Sequence, residues 1–108
     1  MTSSINALTK QAMYTIRYTG EFKRQMKLCQ KRGYDMELLR KVITALASEG
    51  KLPANYSPHL LHGNRKGQWE CHIQPDWLLV WEQHDKELLL ILLNTGTHSD
   101  LFSKKFRK

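Results

Sequence analysis

No stretch of this chain is long and apolar enough to suggest a membrane span: the longest apolar run, Leu88 to Leu93, is six residues, against the roughly 20 that a helix needs to cross a bilayer. No basic stretch followed by an apolar segment and a cleavage site opens the sequence. It therefore gives no reason to expect secretion, and a cytoplasmic protein without a membrane partner is the expectation. Cysteine is scarce, with only Cys29 and Cys71, too few for a disulfide framework, so two reduced and buried thiols are expected. Neither an internal repeat nor a low-complexity segment is present. Acidic residues are also few. Ten Asp plus Glu stand against seventeen Lys plus Arg, a formal charge of +7, which favours a polyanionic partner such as nucleic acid, an acidic protein or an anionic surface.

What is present fits one small globular domain. A chain of 108 residues, 41% hydrophobic and 25% charged, can bury a single core and does not have the composition of a disordered protein. Residues 1–12 show no clear period and read as a loosely ordered arm, residues 13–103 as the domain, and residues 104–108 as a basic tail. Tyr14 to Tyr18 alternates as a strand does. Thr19 can cap a helix starting near Glu21, with Phe22, Met26 and Cys29 as its apolar stripe and Gly33 as its end. Asp35 can cap a second helix with Met36, Leu39, Val42, Ile43 and Leu46 on one side and Gly50 as the stop. Two such helices in succession predict a hairpin.

Beyond a loop from Lys51 to Pro58 the period changes from helical to strand-like. Leu60 and Leu61, Gln68 to Gln74, Trp77 to Glu82 and Glu87 to Leu93 read as strands, and a short helical piece follows near Ser99 to Phe102. The turns between the later strands are hairpin-length, so those strands should be antiparallel and the class is α+β: an N-terminal strand and two-helix hairpin packed on a mainly antiparallel sheet.

The chemistry concentrates in this second half. Alternation along Gln68 to Gln74 puts Trp69, Cys71 and Ile73 on the face toward the helices, and Glu70 and His72 on the other. Asp76 follows in the next turn, His98 lies just after the last strand, and His59 just before the first of the later ones. If the sheet folds as proposed, three imidazoles and a carboxylate can converge at one face. Imidazole, with an unperturbed pKa of about 6.5, keeps both protonation states accessible near neutrality. For RNA such a set suffices without a metal: a base takes the proton of a 2′-hydroxyl, the alkoxide attacks the adjacent phosphorus, and an acid protonates the departing 5′ oxygen. His59-x-x-His62 with His72 or His98 matches none of the strong zinc spacings, so no metal and no cofactor are expected. His62 and His84 read as surface residues. Trp77 and Trp81 share a strand face and could both be core.

Three blocks carry a resemblance. His59-Leu60-Leu61, Trp69-Glu70-Cys71-His72-Ile73-Gln74-Pro75-Asp76-Trp77-Leu78-Leu79-Val80-Trp81 and Thr95-Gly96-Thr97-His98-Ser99-Asp100-Leu101-Phe102 resemble the signatures of the YafQ branch of the RelE toxin superfamily, over nearly the whole predicted domain. The resemblance implies a RelE-like fold and the toxin of a type II toxin–antitoxin system. It further implies a ribosome-dependent endoribonuclease that cleaves mRNA in the A site of the 70S ribosome and is neutralised by a cognate antitoxin. Carried across by motif, His59, His72, Asp76 and His98 match the proton-transfer set, with His72 and His98 the principal acid/base pair in either order. Trp77 and Phe102 match aromatic positions near the substrate. Family members often carry Arg where this chain has Asn94, so either Arg65, Lys66 or the basic tail supplies the missing positive charge, or the chain is a weaker nuclease. Related toxins of the fold bind a protein target without cutting RNA. A non-catalytic binding module is therefore the alternative, although the gyrase-inhibiting branch lacks this histidine set.

Overall fold

A short run of β-branched and aromatic residues opens the sheet. The computed structural model describes residues 12–102. The expected arm, apart from its last position, and the basic tail lie outside them. Thr15–Tyr18 forms β1, one residue shorter than the alternation suggests: the Tyr14 N–H donates to the Ala47 carbonyl at 2.9 Å, and the Tyr14 side chain is buried in the core. Thr19 then caps α1, Gly20–Lys31, its hydroxyl oxygen accepting the Phe22 N–H at 2.9 Å. The Asp35 carboxylate caps α2, Met36–Glu49, by accepting the Glu37 N–H at 3.1 Å. Gly50 ends α2 with φ of +71°, and a Cβ there would meet the Tyr14 hydroxyl at 2.7 Å, so both conformation and space demand glycine.

After a single 3₁₀ turn at Ala54–Tyr56, four strands follow: β2, His59–Leu60, β3, Trp69–Gln74, β4, Trp77–His84, and β5, Leu89–Gly96. The chain continues into α3, His98–Phe102. The five-stranded sheet runs β1-β5-β4-β3-β2. Its later neighbours are antiparallel, as the short connections require, whereas β1 lies parallel to β5 with Thr15 opposite Leu89.

The sheet buries its two faces differently. One takes the helices: Phe22, Cys29, Leu39, Val42 and Leu46 pack with Cys71, Ile73, Trp77, Leu79, Trp81, Leu90 and Leu92. The expectation that Cys29 and Cys71 are buried free thiols holds. Burial pushes the Cys71 thiol up to about 12, so neither its chemistry nor its position suits a nucleophile. The other face carries a smaller cluster of Leu78, Val80 and Leu101, with Leu61, Leu93 and Phe102 against it.

Asp100 ties α3 to the end of α1. Its carboxylate accepts the Thr97 N–H at 2.9 Å and two guanidinium N–H groups of Arg32, at 2.7 and 3.1 Å, while Thr97 Oγ1 accepts the Asp100 N–H at 3.0 Å. Gly96, with φ of +153°, leaves room for that carboxylate: a Cβ there would meet Asp100 Oδ2 at 2.6 Å. The hydrogen bonds from Arg32, and after them those from Thr97, hold the Asp100 carboxyl below its ordinary range. A lowered folded-state pKa gives stability that is complete above about pH 4 and is lost as the pH falls through the folded value. The pair is partly exposed, so Arg32→Ala should cost about 1 kcal/mol and lower Tm by roughly 5 °C. The loss of Tm between neutral pH and about pH 3 should also be shallower in the variant than in the parent, as followed by circular dichroism.

Candidate active site

Alternation along β3 decides which side chains face α3. Cys71 and Ile73 enter the helix-side core, while Glu70 and His72 turn to the opposite face. There His72 meets His59 from the neighbouring strand, with ring centroids 6.3 Å apart, and His98 from the start of α3, at 5.7 Å. The Phe102 ring continues the row, 6.5 Å from His98. Arg65 closes it, with its guanidinium carbon 5.6 Å from the Phe102 centroid, a cation–π distance. Residues distant in sequence thus form one continuous line across the second face.

Asp76, in the β3–β4 turn, fixes the middle of that line. Its Oδ1 accepts both the backbone N–H of His98, at 2.9 Å, and a hydrogen bond from His98 Nδ1, at 2.6 Å. Those two bonds hold the Asp76 carboxyl below its ordinary range. With a carboxylate on Nδ1, that nitrogen carries the proton and Nε2 is the one turned to other partners. His72 is similar but more weakly held: its Nδ1 lies 3.3 Å from the Pro75 carbonyl oxygen, again an acceptor, which leaves Nε2 for proton transfer. His59 differs, because both its nitrogens meet acceptors. Nδ1 lies 2.8 Å from the Ser57 carbonyl oxygen and Nε2 3.0 Å from Glu70 Oε1.

Asn94 does not stand alone where the resemblance led us to expect a cation. Arg65 reaches across from the β2–β3 loop and donates through Nη1 to Asn94 Oδ1 at 3.0 Å and to Gln68 Oε1 at 2.8 Å. Asn94 in turn donates to Gln25 of α1 at 3.1 Å. The amide thus holds a guanidinium beside the row. Lys66 is exposed and does not join this network.

Trp77 requires a correction. It is 2% exposed, lies on the helix face with Leu79 and Trp81, packs edge-on against Tyr34 and donates its indole N–H to Thr95 Oγ1 at 2.9 Å. A ring so enclosed cannot touch a substrate on the opposite face. The period of two in β4 carried that information, because Trp77 is in phase with the core Leu79 and Trp81. Phe102, by contrast, is half-buried and stands in the row. His62 and His84 are exposed, as expected, and His84 pairs with Glu82. Glu70 is the residue that sequence reasoning left without a role.

The row is an open surface. A cavity of about 610 Å³ lies elsewhere, between β1 and the two helices, lined by Ile16, Met26, Met36, Leu39 and Ile43 among others and by no imidazole. The arrangement therefore suits an extended polymer laid along a face better than a small molecule enclosed in a pocket. Among the described residues, no group of three or more His, Cys, Asp or Glu is arranged to hold a metal ion.

Comparison with known proteins decides the lineage. Residues 14–103 match the family described as the bacterial toxin of type II toxin-antitoxin systems, YafQ. The chain belongs to the YafQ toxin family. It is 42% identical over 88 residues to the mRNA interferase toxin YafQ of Escherichia coli K12, a match covering 81% of this chain and 94% of that protein. The fold agrees with the crystal structure of the E. coli DinJ–YafQ toxin–antitoxin complex, with a TM-score of 0.77 and 39% identity, covering 84% of this chain and 99% of that one. It also agrees with a metal-bound toxin from Helicobacter pylori, with a TM-score of 0.76 and 41% identity, covering 83% and 100%. The expected α+β, RelE-like architecture is thereby confirmed.

The burial of Trp77 yields a prediction. Trp77→Ala should destabilise the fold by roughly 3–5 kcal/mol, the range for emptying an aromatic site in a core, as read from urea unfolding. Phe102→Ala, at the open surface, should cost far less.

Proposed function

We propose that this YafQ-family toxin cleaves mRNA in the ribosomal A site by metal-independent acid–base catalysis. The observation that carries the reading is the line of three imidazoles, two of them with Nδ1 turned to an acceptor and Nε2 left for chemistry. His72 and His98 divide the two proton transfers. One accepts the proton of a ribose 2′-hydroxyl as O2′ forms its bond to the adjacent phosphorus. The other gives a proton to O5′ as the P–O5′ bond breaks. The products are a 2′,3′-cyclic phosphate and a 5′-hydroxyl, and no electrons change hands. Both proton transfers are accounted for by these rings, so cleavage should persist in the presence of a chelator.

Asp76 steadies the His98 ring as it gains or loses its proton, as a carboxylate on Nδ1 does in hydrolases. Arg65, held by Asn94 and Gln68, supplies positive charge toward the scissile phosphate. There it offsets the charge that builds on the phosphorane-like transition state. Phe102, beneath that guanidinium, offers a face on which a base can stack with little sequence demand. An open row does not by itself bend a single strand into an in-line geometry. The ribosome supplies that constraint by presenting the A-site codon, and the basic chain is drawn to its RNA. The cognate antitoxin is an acidic partner that covers this cationic surface. A DinJ antitoxin complex is known for the E. coli relative.

His72→Ala and His98→Ala should each lower mRNA cleavage by about 10²–10⁴-fold while leaving the unfolding midpoint nearly unchanged, measured by primer extension on transcripts from a translating extract. Parental cleavage in either variant would remove the assignment. Arg65→Ala should weaken cleavage, and Arg65→Lys should restore it only in part, since a point charge does not reproduce a planar guanidinium stacked on an aromatic ring.

A further inference from the structure

Glu70 is a carboxylate in a place where carboxylates are seldom found. It is 5% exposed, on the face of β3 that carries His72, with Val80 opposite it on β4 and His59 opposite it on β2. An acid so enclosed is costly unless paired. The side chain paired with it is its cross-strand neighbour His59, with Nε2 3.0 Å from Glu70 Oε1. The other ring nitrogen of His59 faces the Ser57 carbonyl oxygen at 2.8 Å. A carbonyl only accepts, so Nδ1 must carry a proton. Nε2 is therefore the nitrogen that meets the Glu70 carboxyl, so each ring nitrogen of His59 has its own partner. The remaining titratable ring against His59 is His72, 6.3 Å away.

We infer that Glu70 is a positioning residue of the active site, clamping His59 so that its ring stands at the end of the row with each nitrogen held. Its burial keeps it from the substrate, and it acts through His59 alone. Two carboxylate–imidazole pairs then flank His72, one on each side: Glu70 with His59, and Asp76 with His98. They differ in a way that separates their roles. Asp76 is exposed and engages Nδ1, leaving Nε2 of His98 for chemistry. Glu70 is buried and engages Nε2 itself. His59 therefore stands as a fixed ring at the end of the row, with both nitrogens held, while His72 and His98 keep Nε2 for the substrate. The kinetic part of this inference rests on the proposed nuclease reading; the pairing does not.

Ring ¹⁵N spectra of the whole chain, with histidines assigned by single substitution, test the clamp directly. In the parent, the His59 Nε2 signal should carry the signature of a hydrogen bond to a carboxyl group. Glu70→Gln keeps the shape and replaces the carboxyl by an amide, and should shift the His59 Nε2 signal while the backbone amide spectrum elsewhere stays in place. Ring signals of His59 that are the same in parent and variant would overturn the inference. In cleavage of ribosome-bound mRNA, Glu70→Gln should slow the reaction by about 10- to 100-fold, the worth of one charge-assisted hydrogen bond. Adding Glu70→Gln to His59→Ala should slow it no further, because a residue acting only through His59 has nothing left to position. Additive losses would mean a general structural role and would also overturn it. Should the protein cut no mRNA while the ring signals shift as expected, the clamp stands and the nuclease reading falls.

Discussion

One carboxylate oxygen holds the active face together. Asp76 Oδ1, in the turn between β3 and β4, takes both the backbone N–H and the Nδ1 hydrogen bond of His98, so one atom fixes where α3 begins and how its first side chain is turned. Without that bond, the His98 ring would lose the partner that fixes its turn beside His72. The Arg32–Asp100 pair repeats the principle one turn on, tying α3 to the end of α1, and Gly96 is the residue whose missing side chain permits it. The site depends on these polar anchors because the apolar cluster beneath it is small.

The helix-side face has the opposite character. There, burial of Phe22, Leu46, Trp77, Trp81 and their neighbours supplies the driving force that makes the sheet rigid. The division of labour explains why the row of rings can remain open to solvent. A scaffold secured on one face can hold polar groups at defined spacing on the other. It also explains why Arg65 can serve from a loop: its guanidinium is set by Gln68, Asn94 and the Phe102 ring together, so the loop carries a group whose position the sheet determines.

Much of this was legible in the sequence. Thr19 and Asp35 as caps, Gly50 as a stop and the alternation of Trp69 to Ile73 depend on contacts within a few residues, and the structure bears them out. The convergence of His59, His72 and His98 was a conditional expectation, and the antiparallel order of the later strands satisfies its condition. What the sequence left out depends on contacts across strands. The parallel seat of β1 beside β5 is a long-range pairing that no local signal specifies. Trp77 was drawn toward the substrate by its place in a motif, although its phase with Leu79 and Trp81 places it in the core. Glu70 had the right face but no evident partner, because its register with His59 is fixed only once the two-residue strand β2 is paired. Asn94 read as a lost charge, whereas in three dimensions it is the acceptor that holds one in place.

The central claim is that imidazoles drawn from three elements act together at a single phosphodiester. The most direct measurement is the chemistry of the ends left on transcripts after the toxin acts in a translating extract containing chelator. Fragments ending in 2′,3′-cyclic phosphate and beginning with 5′-hydroxyl are the result this account predicts, since they arise when a 2′-hydroxyl is the nucleophile and imidazoles carry the protons. Fragments ending in 3′-hydroxyl and beginning with 5′-phosphate would contradict it.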